Sequence, residues 1–178
     1  MNPKPGYDPS NPHIWTHTGK KFHILNPAPE EICVEDIAHA LSLLCRYTGH
    51  TCEHYSVAQH SILVSEMVKN LNDQKWALFH DASEAYLGDV SGPLKCCLPQ
   101  YMEIESAVME TISRKFGLCL SMPKTVKAID KVIQEVEMAS FLQQPRKWTL
   151  IGWYPSDAKE AFLNRFHELF EGKTYYPV

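Results

Sequence analysis

Hydrophobic side chains recur at helical intervals along most of the chain, and this spacing predicts about six helices. Apolar positions three and four residues apart turn one stripe inward and leave the other faces polar. One clear stripe consists of Ile37, Ala40, Leu41 and Leu44. The predicted helices cover residues 34–44, 56–71, 74–87, 100–116, 123–142 and 156–170.

The helix predicted at 74–87 has a candidate N-cap in Asp73 and a stop at Gly88, a residue type that tolerates the left-handed conformation at helix ends. In the helix predicted at 56–71, His60 belongs to an otherwise apolar stripe and is expected to face inward. The other members of that stripe are Leu63, Val64, Met67 and Leu71.

Residues 15–25 alternate large and polar side chains around Gly19, as in a short β-hairpin. Four prolines within residues 1–14 exclude helix there and favour an extended arm. We therefore expect an all-α fold, a helical bundle with a short N-terminal β-hairpin. One domain should span residues 1–178, with a Pro-rich arm and the hairpin in residues 1–30.

Composition narrows the classes of function. With 44% hydrophobic and 21% charged residues, the 178-residue chain has the composition of an ordinary folded domain. A net charge of −4 argues against a nucleic acid polymer as partner, and no apolar run is long enough to predict a membrane span. Six cysteines without a Cys-x-x-Cys pair are expected to be reduced thiols, which favours the cytoplasm.

Charged groups on inward-facing stripes carry the candidate chemistry. The segment LFHDASEAYLGD, residues 78–89, sets a histidine and acidic residues among apolar neighbours. Such groups are costly to bury unless something compensates them, and one cation can compensate several together. The candidate ligands are His60, His80, Asp81 and Asp130, from three predicted helices. Two imidazoles and two carboxylates suit one divalent transition metal, Co, Mn, Zn, Ni or Fe, although a single such histidine is more often a hydrogen-bonded core residue.

Glu84 follows His80 by four residues and Asp81 by three, so on a helix it shares their surface. There it could orient or deprotonate a water, or protonate a leaving group. His50 and His54 leave two alternatives open, a second metal ion together with His60 or contacts to substrate.

The order His60, His80-Asp81, Asp130 resembles the HD-domain metal phosphohydrolase superfamily, named for its His…His-Asp…Asp ligands. Residues 56–61, SVAQHS, are similar to the Ser-Val-Ala-Glu-His-Ser stretch of the 5′-deoxynucleotidase branch. Residues 80–89, HDASEAYLGD, are close to the His-Asp-x-x-Glu-x-x-x-Gly-Asp of that branch. The similarity extends from about residue 33 to 145 and implies an HD-domain helical bundle.

The resemblance also implies roles for individual residues. The four residues proposed above would bind the metal, and Glu84 would be the catalytic acid or base. Asp89 would contact the substrate sugar or the attacking water, while Arg46 and Lys95 would bind substrate phosphate. Tyr47 stands where the branch often has a tryptophan that stacks on the base, which leaves the base preference open.

Small phage-type members of this branch hydrolyse dATP and related deoxynucleotides. The resemblance therefore implies a dNTP triphosphohydrolase, with dATP favoured, that releases deoxynucleoside and triphosphate. It also implies a homo-oligomer, dimer or hexamer, working in the cytoplasm, or the host cytoplasm if the protein is phage-encoded. The alternatives are a dNMP-specific 5′-deoxynucleotidase, a nucleotide sensor without turnover, and a di-iron oxygenase, for which no His-Asp-x-x-Lys equivalent is evident.

Overall fold

Helices make up most of the computed structural model, which describes residues 8, 10–142 and 150–173. Together with one two-stranded N-terminal sheet, they confirm the predicted all-α bundle with a hairpin. Most of the predicted Pro-rich arm, residues 1–7 and 9, lies outside the described residues. The elements are β1 (His13–Trp15), β2 (Lys21–His23), α1 (Val34–Leu43), α2 (Val57–Met67), α3 (Leu71–Phe79), α4 (Glu84–Leu87), α5 (Gly92–Lys95), α6 (Pro99–Phe116), α7 (Lys124–Glu137) and α8 (Pro155–Glu171).

Two 3₁₀ turns, Pro29–Glu31 and Tyr47–Gly49, precede and follow α1, and a π-helical segment, Met138–Leu142, continues α7. The hairpin around Gly19 is confirmed, with β1 and β2 antiparallel and Ile14 opposite Phe22. Its turn is held on α1, because the backbone N–H and the hydroxyl of Thr18 donate to the Asp36 carboxylate at 2.7 and 2.8 Å.

The single helix predicted at 74–87 is wrong, since the chain forms α3 and then α4 with a turn between them. The N-cap is Asn70 and not Asp73: the Asn70 side chain accepts from the backbone N–H groups of Asn72 and Asp73 at 2.9 and 3.2 Å. The turn between the two helices carries His80 and Asp81.

Helix α2 begins as predicted, because Ser56 caps it by accepting from the Gln59 N–H at 3.1 Å. It ends at Met67, earlier than predicted. The predicted burial of Met67 and Leu71 is wrong, since they are 50% and 54% exposed. The chain leaves the helix at Val68, whose carbonyl accepts from the Gln74 side chain at 2.7 Å.

The main core lies where α8 packs on α1, α2 and α3. Phe79 stacks on Phe116 and meets three phenylalanines of α8 edge-on, so the packing role predicted for the C-terminal helix is confirmed. A second apolar cluster joins α2, α3 and α7. Among the helices of the described residues, none is both long and apolar enough to cross a bilayer. All six cysteines lie in the described part of the chain, and none forms a disulfide, as expected.

Candidate metal centre

Three of the four predicted ligands, His60, His80 and Asp130, meet where α2, the α3–α4 turn and α7 converge, and the fourth, Asp81, contacts both histidines. The His60 Nε2 atom lies 3.1 Å from both His80 Nε2 and Asp130 Oδ1. His80 Nε2 lies 3.2 Å from Asp81 Oδ2 and 3.8 Å from Asp130 Oδ1, and His60 Nε2 lies 3.8 Å from Asp81 Oδ2. Donor atoms that share one ion at about 2.0–2.2 Å stand about 3–3.5 Å apart. The donor atoms of His60, His80 and Asp130 all lie within 4.8 Å of one another, which fits a common ion, whereas Asp81 is not part of this group.

The hydrogen bonds of the two imidazoles indicate which ring nitrogens face the cluster. His60 Nδ1 lies 2.6 Å from a Glu137 carboxylate oxygen, and His80 Nδ1 lies 2.6 Å from the Ala77 carbonyl. Both of these partners only accept, so each Nδ1 carries a proton. The Nε2 atoms therefore face each other and the two carboxylates. Without a metal ion a proton on His80 supplies the positive charge among these groups, and a bound cation would take its place.

The pKa values reflect the same concentration of negative charge. Burial disfavours the charged form of His80, but Asp81 and Asp130 outweigh burial and raise its pKa to about 10. Burial would raise the pKa of Asp81, yet His80 and His60 lower it well below its usual range. The pKa of Asp130 is likewise lowered by hydrogen bonds from the two histidines, against the effect of burial. The site is thus arranged to keep its carboxylates ionised beside a positive charge.

A second layer of residues orients the candidate ligands. Asp130 Oδ1 accepts from the Gln134 side chain at 2.9 Å, one turn further along α7. Glu137, two turns beyond Asp130, is fully buried and accepts from His60. Its second partner on the same oxygen is the Tyr55 hydroxyl at 2.6 Å. Burial raises the pKa of Glu137, but these bonds and the Arg46 charge lower it below the ordinary value.

Arg46 lies in an extended segment between α1 and α2. Its backbone N–H donates to the Tyr55 carbonyl at 2.9 Å, beside an antiparallel bridge between Cys45 and Ser56. The guanidinium Nε lies 3.2 Å from Glu137 Oε2, and Nη1 lies 3.3 Å from Asp81 Oδ2. Among the described residues these contacts engage two of the five N–H donors of the guanidinium, which also lines a cleft.

Tyr47 and Thr48 follow Arg46 in the left-handed region, with φ of 56° and 55°. Such backbone costs about 1–3 kcal/mol for a residue with a side chain and is common at functional sites. The Tyr47 ring lies under the Arg46 guanidinium at 5.4 Å, and its hydroxyl donates to Glu137 at 2.8 Å. Contact with Glu137 therefore holds the ring at the wall of a cleft.

This cleft has a volume of about 400 Å³ and shares Asp81 with the metal cluster. Every residue predicted to act on substrate lines this cleft, and residues 89–93, which lead into α5, complete its wall. The predicted lining residues are Arg46, Tyr47, Glu84, Asp89 and Lys95. A volume of this size is within the range of small-molecule sites.

Glu84 begins α4 and is 5% exposed. Its Oε1 lies 3.5 Å from Lys95 Nζ, whereas its Oε2 is buried without a hydrogen-bond partner among the described residues. Burial and the charges of Asp81 and Asp89 raise its pKa well above the ordinary value. An unpartnered carboxylate oxygen in a cleft is suited to bind a water or a substrate group.

Lys95 lies at the end of α5, and its ammonium is held by Glu105 of α6 at 2.6 Å. Asp89 follows Gly88, whose φ of 83° allows the chain to turn into the cleft wall. Burial raises the pKa of Asp89 above its ordinary value, with a counteracting effect from Arg46.

The histidines of the α1–α2 connection lie apart from the cluster. His54 Nε2 is 3.0 Å from the Ser42 carbonyl, and His50 lies on the exposed surface. Of the groups within the described residues that could hold an ion, the one found contains His60, His80 and Asp130 but neither of these two. The second-ion alternative therefore lacks ligands that come together.

Glu137, Tyr55 and Glu105 are site residues that the sequence reasoning missed. For Glu137 a signal existed: Val126, Asp130, Ile133 and Glu137 share one face of α7, so this carboxylate also sits on an inward stripe. For Tyr55 and Glu105 no local pattern marks the role, because their partners come from distant segments.

No family model matches the chain. A protein of Escherichia coli (strain K12) named uncharacterized protein YfdR is 34% identical over 174 residues, which cover 89% of this chain and 96% of YfdR. An uncharacterized protein of Rhodobacter capsulatus is 35% identical over 133 residues, covering 67% of this chain and 68% of that protein. Similarity to YfdR thus extends over nearly the full length of both chains.

Proposed function

The chain belongs to the same family as the Escherichia coli protein YfdR, and we propose that it is a divalent-metal-dependent phosphohydrolase of deoxynucleotides. One observation carries the proposal. Donor atoms of His60, His80 and Asp130 converge, with Asp81 against both histidines, beside a cleft that also holds an arginine, a lysine and a buried glutamate with one oxygen unpartnered among the described residues.

The ligand chemistry supports a single ion of Co, Mn, Zn, Ni or Fe. Two neutral imidazoles and two carboxylates form a mixed nitrogen and oxygen set that suits these metals. Once bound, such an ion supplies Lewis acidity: it lowers the pKa of a coordinated water and withdraws charge from a phosphate oxygen. His60 and Asp130 approach from helices and His80 from a tight turn, so the ligands are held by backbone and second-layer contacts.

The other residues of the cleft would bind the substrate or transfer a proton. Arg46 would present a planar fork to phosphate oxygens, and Lys95 adds a second positive charge to the cleft, 3.5 Å from Glu84 Oε1. Glu84 keeps a proton at higher pH than an ordinary glutamate, so it can donate one to the leaving 5′ oxygen or accept one from water. Asp89 and Tyr47 line the cleft where a sugar and a base would lie.

Among substrates we favour dNTPs, and dATP in particular, with deoxynucleoside and triphosphate as products. The support is the likeness of residues 56–61 and 80–89 to the HD-domain 5′-deoxynucleotidase branch and its small phage-type members. The second candidate is a dNMP-specific 5′-deoxynucleotidase. Arg46 and Lys95 are the basic residues that line the cleft among the described residues. Two positive charges suit a monophosphate better than a triphosphate, which carries more negative charge, and this favours the second candidate.

A nucleotide panel after metal exchange tests the proposal. The protein is stripped with a chelator, reloaded with Mn, Co, Ni, Zn, Fe or Mg, and offered each dNMP, dNDP and dNTP and their ribose counterparts. Release of triphosphate from dNTPs supports the first candidate, and orthophosphate from dNMPs alone supports the second. Tight nucleotide binding without turnover under every metal would instead favour a sensor and overturn the proposal.

The proposal also covers the compartment and the oligomeric state of the protein. Six free thiols are consistent with a reducing compartment, the cytoplasm of the cell or of a phage host. The likeness to the HD-domain branch supports a homo-oligomer, dimer or hexamer, and light scattering on the purified protein tests it.

A further inference from the structure

Glu137 ends α7 as a carboxylate with no solvent exposure in the described structure. An ionised group at this depth is costly unless each oxygen is hydrogen bonded. The position therefore demands strong compensation from neighbouring side chains.

Four donors supply that compensation, two on each oxygen. Oε1 accepts from His60 Nδ1 at 2.6 Å and from the Tyr55 hydroxyl at 2.6 Å. Oε2 accepts from the Tyr47 hydroxyl at 2.8 Å and from Arg46 Nε at 3.2 Å. A carboxylate has about four acceptor sites, so its capacity is filled.

The two oxygens face two different functional groups. Oε1 holds the Nδ1 proton of a candidate metal ligand, which leaves the His60 Nε2 lone pair toward the cluster. Oε2 holds the edge of the Arg46 guanidinium, whose Nη1 reaches Asp81 on the other side. One side chain thus connects the ligand set to the cleft by two direct bonds.

We propose that Glu137 is a positioning residue that couples occupation of the metal cluster to anion binding by Arg46. The inference rests on the proposed function and specifies how its site is regulated. A change in the His60 ring is transmitted through one rigid carboxylate to the guanidinium, and the reverse follows by reciprocity. Carboxylates behind metal-bound histidines orient the ring and increase its basicity, and their loss typically weakens metal binding about 10–100-fold.

Glu137→Gln tests this with little change in volume. The amide has one accepting oxygen and one donating NH₂ group. Because each oxygen of Glu137 accepts from two donors, the NH₂ group would face two donors in place of an acceptor. We expect Mn(II) affinity, measured by calorimetry on the folded, metal-stripped protein, to fall about 10–100-fold. Affinity for orthophosphate with the metal saturating is expected to fall as well. Glu135→Gln is the matched control, because Glu135 is exposed on the same helix, and both affinities should match the wild type.

A double-mutant cycle with Arg46→Met separates the two bonds. In the Arg46→Met background, Glu137→Gln should still weaken Mn(II) binding but no longer change orthophosphate affinity. A merely structural role lowers the thermal midpoint and leaves both dissociation constants of the folded protein unchanged. A folded Glu137→Gln protein with wild-type Mn(II) affinity overturns the proposal, as does an orthophosphate effect that persists without Arg46.

If Glu137→Gln does not fold, Glu137→Asp takes its place, since a side chain shorter by one methylene cannot reach both His60 and Arg46. At least one of the two affinities should then fall about tenfold or more, and retention of both overturns the coupling. These measurements use metal and orthophosphate only. Wild-type protein that binds both but hydrolyses no nucleotide would therefore refute the proposed function and leave the coupling standing.

Discussion

The Nε2 atoms of His60 and His80 lie 3.1 Å apart, and each ring has its Nδ1 atom hydrogen bonded on the opposite side. Two imidazoles rarely approach in this way without a shared proton or ion, because their lone pairs repel. The carboxylate of Asp130 at 3.1 Å from His60 and that of Asp81 at 3.2 Å from His80 complete a set that attracts a cation.

Replacing one ligand carboxylate should abolish tight metal binding. We expect Asp130→Asn to weaken Co(II) or Mn(II) binding by more than the roughly 100-fold upper limit for loss of an outer-layer partner. Bound metal after dialysis is measured by mass spectrometry. Asp157→Asn, an exposed change of the same type on α8, is the control and should keep the wild-type metal content. Equal metal in both variants would contradict the assignment of Asp130.

Metal binding should depend on pH through His80. Burial disfavours its charged form, but the carboxylates of Asp81 and Asp130 raise its pKa from 6.5 to about 10 in the metal-free site. At neutral pH an entering ion must therefore displace a proton, and the apparent affinity should rise with pH by up to about tenfold per unit.

The raised pKa of His80 also determines how the stability of the metal-free protein changes with pH. Because the folded pKa lies above the unfolded one, the stabilisation from protonated His80 is present below pH 6.5 and is lost as pH rises through about 10. The gap between the thermal midpoints of Mn(II)-loaded and chelator-treated protein should widen over the accessible part of this window. A gap independent of pH, with affinity equally flat, would contradict proton displacement at this residue.

Glu84→Gln should separate chemistry from binding. The amide keeps the size of a side chain that is 5% exposed but cannot exchange a proton with water or a leaving group. We expect turnover of the preferred deoxynucleotide to fall about 10²–10⁴-fold while Mn(II) affinity stays near wild type. Glu103→Gln on the exposed side of α6 is the control. Unchanged kcat in Glu84→Gln would exclude Glu84 as acid or base.

The segment before α8 packs closely on the start of α2 and on His54 around Gly152. Gln59 fixes this segment, donating to the Ile151 carbonyl and accepting from the Trp153 N–H, each at 2.9 Å. A Cβ at Gly152 would lie 2.0 Å from the His54 carbonyl oxygen, so the backbone would have to move.

We therefore expect Gly152→Ala to lower the free energy of unfolding by about 1–3 kcal/mol, as overpacking does. Urea titration should show a lower midpoint with an unchanged slope. Gly92→Ala is the control, because a Cβ there would meet nothing within 4 Å. Equal midpoints for the two variants would show that the close approach at Gly152 is relieved at no cost.

Local patterns in the sequence were sufficient for much of the fold. Amphipathic spacing predicted α1, α6 and α8 nearly to their ends, and the alternation around Gly19 predicted the hairpin. The same spacing indicated that His60 and Asp130 face inward, since the period of a helix determines which side chains share a face. A buried charge on such a face is a strong local signal.

The helix ends and the second layer of the site required the tertiary structure. The N-cap is Asn70 although Asp73 is an equally suitable residue type, and the turn at His80 divides α3 from α4 within one continuous polar and apolar pattern. Tyr55 and Glu105 join the site through Glu137 and Lys95, which come from other segments of the chain.

By itself the sequence determined which segments are helical and which polar groups they turn inward, because period and face are properties of neighbouring residues. Only the tertiary structure decided that Glu137 meets His60 from 77 residues away and Arg46 from 91, and that both meet beside Asp81. Contacts between distant segments depend on how whole helices pack, and no local pattern in a single sequence encodes that geometry.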